Sequence, residues 1–363
     1  MDAKVIWQQN RLDQSTNDMK LKLVIALVVS LLILPTDVVS QDSIRDTHIK
    51  HFSDHFFVWP VIKKRELSFQ VVSVLDKKKE FNFKPNNSYS VGFGINIFEI
   101  TLEASFSVPV DIKSQERFGK SDVRDFQAVA LGKRWLADVY TQKYDGFYFS
   151  NSDQIIPSDQ PFPQRADLAT RNFGFSFAYI FSHQKFSLRS AYTFAERQKA
   201  SRGSLLLSYV VSSFNFSSDS ALVSKDARQI YGAGSSTEDA RFTSLGLAPG
   251  YSYNFVVDKF FLNTTLVLGP AHYWVRYNSQ EGLVKNDISI NLYSAVRLGF
   301  GYNGDRFFAG INLTAQGRNV RIEQIDIKNT ISTVRLVAGF RFPEKGFLKK
   351  RAVDYLPGRS SLP

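Results

Sequence analysis

The sequence predicts an all-β protein, an antiparallel transmembrane β-barrel of about 12 strands, with ten to fourteen consistent with the pattern. Three observations carry that reading. Period-2 alternation of apolar and small polar residues recurs along the chain, whereas no stretch shows a sustained 3.6-residue period. The alternating segments run about 10 residues or more, the length a tilted strand needs to cross a bilayer. The composition combines Phe 32, Tyr 15 and Trp 4 in 363 residues with 22% charged residues and a mean hydropathy of -0.18. Several spanning helices would be far more apolar, and a disordered chain would lack the aromatics. With no cysteine, disulfide scaffolds, thiolate metal sites and thiol catalysis are excluded.

Taken in order, residues 1–40 read as an upstream extension and a signal peptide. The run 23–34 (LVIALVVSLLIL) follows Lys20 and Lys22 and precedes Pro35 and the small residue Ser40. A basic start, a short apolar run and a small residue before the cut are the marks of export, and the run is short for a spanning helix. The polar stretch ahead of it places the functional start at Met19. Residues 41–66 are irregular and mixed, and read as a periplasmic lead-in. The barrel is assigned to 67–342 and a basic tail to 343–363. The net charge of +11 then belongs to an exported chain, and no nucleic-acid partner is expected.

The clearest strand is 173–181, where Phe173, Phe175, Phe177, Tyr179 and Phe181 alternate with Gly174, Ser176, Ala178 and Ile180. The same two-faced pattern places strands near 88–97, 99–110, 123–133, 135–149, 170–182, 185–197, 203–216, 241–256, 259–277, 287–302, 306–317 and 328–342. A soluble sandwich would turn its charged face outward. Here the face opposite the aromatics is mostly Gly, Ser, Ala, Asn and Thr, as suits a crowded hydrated interior, and the apolar face suits lipid. Short turns fall at 96–99, 182–185, 257–259 and 303–305, with long connections at 111–122, 150–169 and 217–240. Strict alternation of short turns and long loops between the two ends fails across 217–240. A hidden strand there or a further strand at 67–75 would restore it; otherwise some short turns face outward.

Some residues resemble a family. Phe83-Lys84-Pro85-Asn86, Gly132-Lys133-Arg134, Asp138 with Tyr140, and the string Gln142-Lys143-Tyr144-Asp145-Gly146-Phe147-Tyr148 are similar to an uncharacterised outer-membrane β-barrel family, a domain of unknown function, of Bacteroidetes. Ser201-Arg202-Gly203-Ser204 and Pro249-Gly250-Tyr251 fit the same pattern, and the resemblance covers about 50–342. It implies an outer-membrane barrel and supplies no activity or catalytic residue.

Candidate chemistry is sparse. His48, His51 and His55, with Asp46 and Asp54, have spacings seen among metal ligands but lie on an irregular segment, so no metal or other cofactor is expected. His183 falls in a turn. His272 precedes Tyr273 and Trp274, which read together as an interfacial aromatic girdle. The segment 232–235 lacks the lysine and helix of a phosphate loop. No catalytic set emerges and the chain is not expected to be an enzyme. A lipid-acting barrel enzyme is the weakest reading, requiring a serine beside His183 or His272. The interior candidates are Lys185, Arg189, Arg297, Arg335 and Arg341, with the acids Glu103 and Asp287. If the cations line a water path they favour small anionic solutes; if they pair with the acids they rigidify a closed barrel. Two functions follow, a small passive channel or a closed structural barrel docking an envelope protein. Outer-membrane lipid is the expected surround in either case.

Overall fold

The computed structural model describes residues 42–345, apart from 53, 98–99, 152–154 and 280–283. The signal-peptide reading and the tail beyond 345 lie outside the described residues. In chain order the elements are α1 (Asp42–His48), β1 (Ile49–His51), β2 (His55–Ser73), β3 (Glu80–Lys84), β4 (Ser90–Ile97), β5 (Ile100–Ser107), α2 (Ile112–Phe118), β6 (Asp122–Leu131), β7 (Trp135–Asn151) and β8 (Gln164–Ile180). They continue as α3 (Arg189–Tyr192), β9 (Glu196–Gln198), β10 (Arg202–Ser217), α4 (Arg228–Tyr231), β11 (Thr237–Val257), β12 (Phe260–Ser279), β13 (Val284–Asn303), β14 (Phe307–Ile322) and β15 (Ile325–Pro343).

Apart from a small β1–β9 pair, the strands form one antiparallel sheet that closes where β15 pairs β2. The closed ring has ten strands, β2, β3, β7, β8 and β10 to β15. Nearer the chain ends β4, β5 and β6 widen the wall. There β4 takes over the edge of β2 that β3 holds further along, and β6 pairs β7. Where β3 bridges β2 and β7, closure satisfies the backbone groups that an open edge would leave bare in lipid, whereas among the described residues β5 pairs β4 and β6 pairs β7 without pairing each other.

The wall obeys one rule of phase. In β12 the outward side chains include Phe260, Leu262, Leu266, Leu268 and Trp274, all exposed, while Phe261, Asn263, Thr265, Tyr273 and Val275 point inward and are buried. The same phase puts Phe173, Tyr179 and Phe181, the run Ile288, Ile290 and Leu292, and Leu336, Phe340 and Phe342 outside. A period of two with one greasy face produces this wherever the strand is long.

Two expectations need correction. The segment 185–197 is not a wall strand: after β8 the chain turns back and enters the barrel, burying Phe186, Leu188, Ala191 and Phe194. The stretch 55–66, read as lead-in, is instead the first half of β2, with Phe57, Trp59 and Val61 buried inside the barrel. The charged run Lys63 to Glu66 hid it, because Lys64 and Glu66 face outward as an ion pair of 2.9 Å while Arg65 faces in. With both corrections the connections alternate. Strands β4, β6, β8, β11 and β13 end on the proximal side, where β2 begins and β15 finishes. Strands β2, β7, β10, β12 and β14 end on the distal side, and β5 stops part-way up the wall, where Ser107 pairs Ser90.

A bulge between Asp145 and Phe147 bends β7. Gly146 there has φ 85, and a Cβ would stand 2.6 Å from the Lys120 carbonyl oxygen. Gly146→Ala is expected to destabilise the barrel by about 1–2 kcal/mol, read as a lower urea midpoint of tryptophan fluorescence. An unchanged midpoint would show that the bulge relaxes freely.

Candidate functional site

The interior of the barrel is filled at both ends. At the proximal end the plug is residues 181–201 together with β1 and the preceding Arg45. Its backbone carbonyls are gripped by amide and guanidinium groups at inward positions of consecutive strands. Asn254 Nδ2 of β11 donates to Ser187 O (2.9 Å), and Asn303 Nδ2 of β13 donates to Ser190 O and Glu196 O (2.9 Å each). Asn312 Nδ2 of β14 donates to Ala191 O (3.0 Å), and Tyr192 Oη donates to Asn263 Oδ1 of β12 (2.7 Å). Buried amides need partners, and here the partner is an irregular chain with carbonyls to spare.

Glu196 is the plug's centre. Fully buried, it takes Arg45 Nη2 at 2.5 Å, Arg189 Nη1 at 3.1 Å and the Ser187 hydroxyl, with His51 Nδ1 at 3.4 Å. Burial alone would raise its pKa, but Arg189, the His51 hydrogen bond and Arg45 hold the carboxyl well below the usual carboxylate range. Arg45 also donates to the His183 carbonyl, tying α1 to the turn after β8.

The predicted interior residues separate accordingly. Arg341 is buried, donates to Phe194 O (2.6 Å) and Asn303 Oδ1 (2.7 Å), and lies 3.8 Å from the Phe52 ring centroid and 4.8 Å from that of Phe308. Arg335 Nη2 donates to Glu103 Oε2 at 2.5 Å and its Nη1 to Asn312 Oδ1 at 2.9 Å. Arg297 Nη2 meets Asp138 Oδ2 at 3.3 Å. Arg189 belongs to the plug, where it pairs with Glu196, rather than to a wall strand. Lys185 is exposed in the turn that leads into the plug. Asp287 is exposed and caps its own neighbour, accepting from Ile288 N at 2.7 Å. It joins none of the interior cations because β14 pairs β13 only as far as Tyr293.

The aromatic pair is divided by the strand's phase. Trp274 faces out, as a girdle residue does, and stacks edge-on with His272 at 4.5 Å. Tyr273 is 1% exposed and points into the barrel. Cross-strand neighbours of His272 are Leu245 and Ile290, with no serine beside it. His183 Nδ1 lies 3.3 Å from Ile180 O. Of the N-terminal histidines, His51 contacts Asp46 (3.5 Å) and Glu196, while His55 contacts Asp54 (2.7 Å).

Above the plug is a polar belt. Asp125 accepts from Arg65, from Tyr144 Oη (2.9 Å) and from Gln142 Nε2 (3.0 Å), and Asn172 donates to Gln142 (2.9 Å). Asp138 accepts from Gln127 (2.9 Å), and Arg318 donates to Tyr140 Oη (2.6 Å). Beyond the belt the inward face becomes aromatic. Phe69 stacks on Phe83 (4.9 Å) and Phe216 (5.5 Å), and Phe81 packs on Tyr231 (5.3 Å). The connection after β10 closes this end with Leu222 and Val223. Sequence reasoning missed this second fill because it treated the polar face as polar along its whole length.

The residues behind the family resemblance lie in this framework. Asp138, Tyr140, Gln142 and Tyr144 are successive inward positions of the belt. Asn86 Nδ2 donates to Ser114 O (3.1 Å) and Gly119 O (2.7 Å), fastening the α2 connection where β3 gives way to β4. Residues 42–342 match the family described as a domain of unknown function, DUF4421. The chain belongs to this family. No curated protein matches the chain in sequence. Among solved structures it is similar to the outer membrane protease OmpT from Escherichia coli, at 9% identity over 81% of this chain and 98% of that one, with a TM-score of 0.39. It is also similar to the translocator domain of autotransporter NalP from Neisseria meningitidis (11% identity, 91% and 97% covered, TM-score 0.29). A third is the toluene transporter TodX from P. putida (10% identity, 81% and 91% covered, TM-score 0.21). At these identities and scores none of them assigns an activity.

Proposed function

We propose that this DUF4421 protein is an outer-membrane barrel that works closed, as a rigid anchoring and docking unit of the envelope. The observation that carries the reading is the proximal plug, whose carbonyls are held by side chains of β11, β13, β14 and β15 and whose tyrosine reaches β12. A passive channel has less support, because Arg297, Arg335 and Arg189 are ion-paired and Arg341 is enclosed by carbonyls and rings. The distal end faces outward in this reading, since spanning barrels keep short turns on the periplasmic side.

The described connections after β7 and β10 are tied to the wall by specific hydrogen bonds. Arg165 binds Asp167 (2.8 Å) and the carbonyls of Ser220 (2.8 Å) and Ala221 (3.0 Å), joining the β8 start to the connection after β10. Ile155, after β7, is 94% exposed, as a partner-binding residue would be. Deleting 217–240 would remove Leu222, Val223 and Tyr231 from the distal core, so it would unfold this end and report nothing about docking.

Planar-bilayer recording tests the closed state. The folded, heat-modifiable barrel is expected to give no stepwise conductance. Regular anion-selective steps from the intact chain would reverse the choice in favour of the channel.

A further inference from the structure

The outer surface carries a feature that neither anchoring nor closure uses. Following the ladder from strand to strand, Arg124 of β6 pairs with Lys143 of β7, Lys143 with Arg171 of β8, and Arg171 with Asn215 of β10. Asn215 then pairs with Arg241 of β11, and Arg241 with Arg276 of β12. All these positions have the outward phase, so the barrel wears a single row of cations interrupted by one asparagine. Directly opposed like charges destabilise a strand pair. Three such pairs occur in this row.

Neighbouring rows define what lies on either side. One step toward the proximal end, the outward positions include Phe126, Phe173 and Trp274, and the following rows are largely apolar. One step toward the distal end are Asp122, Asp145 and Asp239. Asp122 and Asp145 neutralise Arg124 (3.0 Å) and Lys143 (2.8 Å). Among the described residues Arg171, Arg241 and Arg276 have no ion-pair or hydrogen-bond partner, and Asp239 lies near enough to attract the last two. A cleft of about 520 Å³ opens at the same height, lined by Arg241, Arg276, Trp274, Asn286, Asp287 and Ile288.

We propose that this row is a binding site for a phosphorylated lipid headgroup of the leaflet around the distal half of the barrel, with Arg171, Arg241 and Arg276 as its cationic core. The proposal rests on the membrane-barrel reading above. Acyl chains cover the apolar rows, so the chemistry reaching the next row is that of headgroups. A zwitterionic headgroup brings its own cation and leaves the repulsion in place. A phosphate monoester removes it, because guanidinium forks bind phosphate in a bidentate manner. Asp239 and Asp287 at the margins oppose anions and confine the ligand to the arginines between them.

The test uses the full chain folded into phosphatidylcholine vesicles, with and without a minor fraction of phosphatidic acid, then extracted in mild detergent for native mass spectrometry. The wild type is expected to retain phosphatidic acid in preference to phosphatidylcholine. The triple variant R171Q/R241Q/R276Q should lose about a hundredfold in affinity for it, at roughly fivefold per cation. K328Q, an outward cation outside the row, should change nothing. Equal retention by wild type and triple variant overturns the site. Inorganic phosphate bound as well as the lipid in pure phosphatidylcholine overturns the lipid assignment. Failure of the wild type to become heat-modifiable in any vesicle overturns the membrane reading and this site with it, whereas insertion without selective retention overturns this site alone.

Discussion

Glu196→Ala is expected to unseat the proximal plug. The substitution leaves Arg45 and Arg189 buried without their carboxylate, and removing one partner of a buried ion pair costs about 3–5 kcal/mol. That loss falls on the plug, because the wall strands hold one another through their own ladders. Protease sites within 181–201 should open while the heat-modifiable barrel persists and the distal core keeps it non-conducting. If the variant stays protected, the Glu196 cluster does not hold the plug.

Acid should do the same reversibly. Glutamate in an unfolded or released segment titrates near 4.5, and in the seated plug the carboxyl is held well below that by its cations. A depressed folded-state pKa stabilises above the unfolded value and is lost as pH falls through the folded one. Plug release is therefore expected only below about pH 4.5 and should deepen with further acidification. In Glu196→Gln this pH dependence should be weaker, with the part carried by Asp305, which Lys50 and Arg197 hold, remaining.

Phe69→Ala is expected to have the other large effect. Phe69 is fully buried on β2, the strand that closes the ring, and stacks on Phe83 of β3 and on Phe216 of β10 across the interior. Truncating a buried phenylalanine costs about 3–5 kcal/mol, part of it from the cavity left behind. Unlike the plug variant, this one should lower the unfolding midpoint of the whole barrel in urea and weaken its heat-modifiable band. A normal midpoint with altered distal proteolysis would mean that the distal core caps the barrel without stabilising it.

Particular residues show where reading ahead worked and where it did not. The outward phases of 173–181, 288–302 and 334–342 were legible because lipid selects every second residue one at a time, whatever its neighbours in space. The row of five cations was not, since its members are far apart in sequence and meet only through strand register. The segment 185–197 misled because Phe186, Leu188, Tyr192 and Phe194 also keep even spacing, and a plug buries apolar side chains as well as lipid does. The first wall strand, β2, was hidden by Lys63 to Glu66, whose charges are tolerated because Arg65 pairs with Asp125 and Lys64 with Glu66. Tyr273 and Trp274 show the limit of reading composition: adjacent aromatics on a strand cannot share a face.

Local alternation thus determined the barrel class, its lipid-compatible surface and an approximate number of strands, because those depend on each residue's own solvent. Only the tertiary structure decided that the interior is occupied and where the interior cations find their partners. The asparagines of β11 to β14 read as hydrated lining until the returning chain is seen to present its carbonyls to them. Arg189 reads as an interior cation of a wall strand until the returning chain sets it, with Arg45, against Glu196. A buried polar group is defined by its partner, and here the partners are brought together by ring closure rather than by sequence neighbourhood.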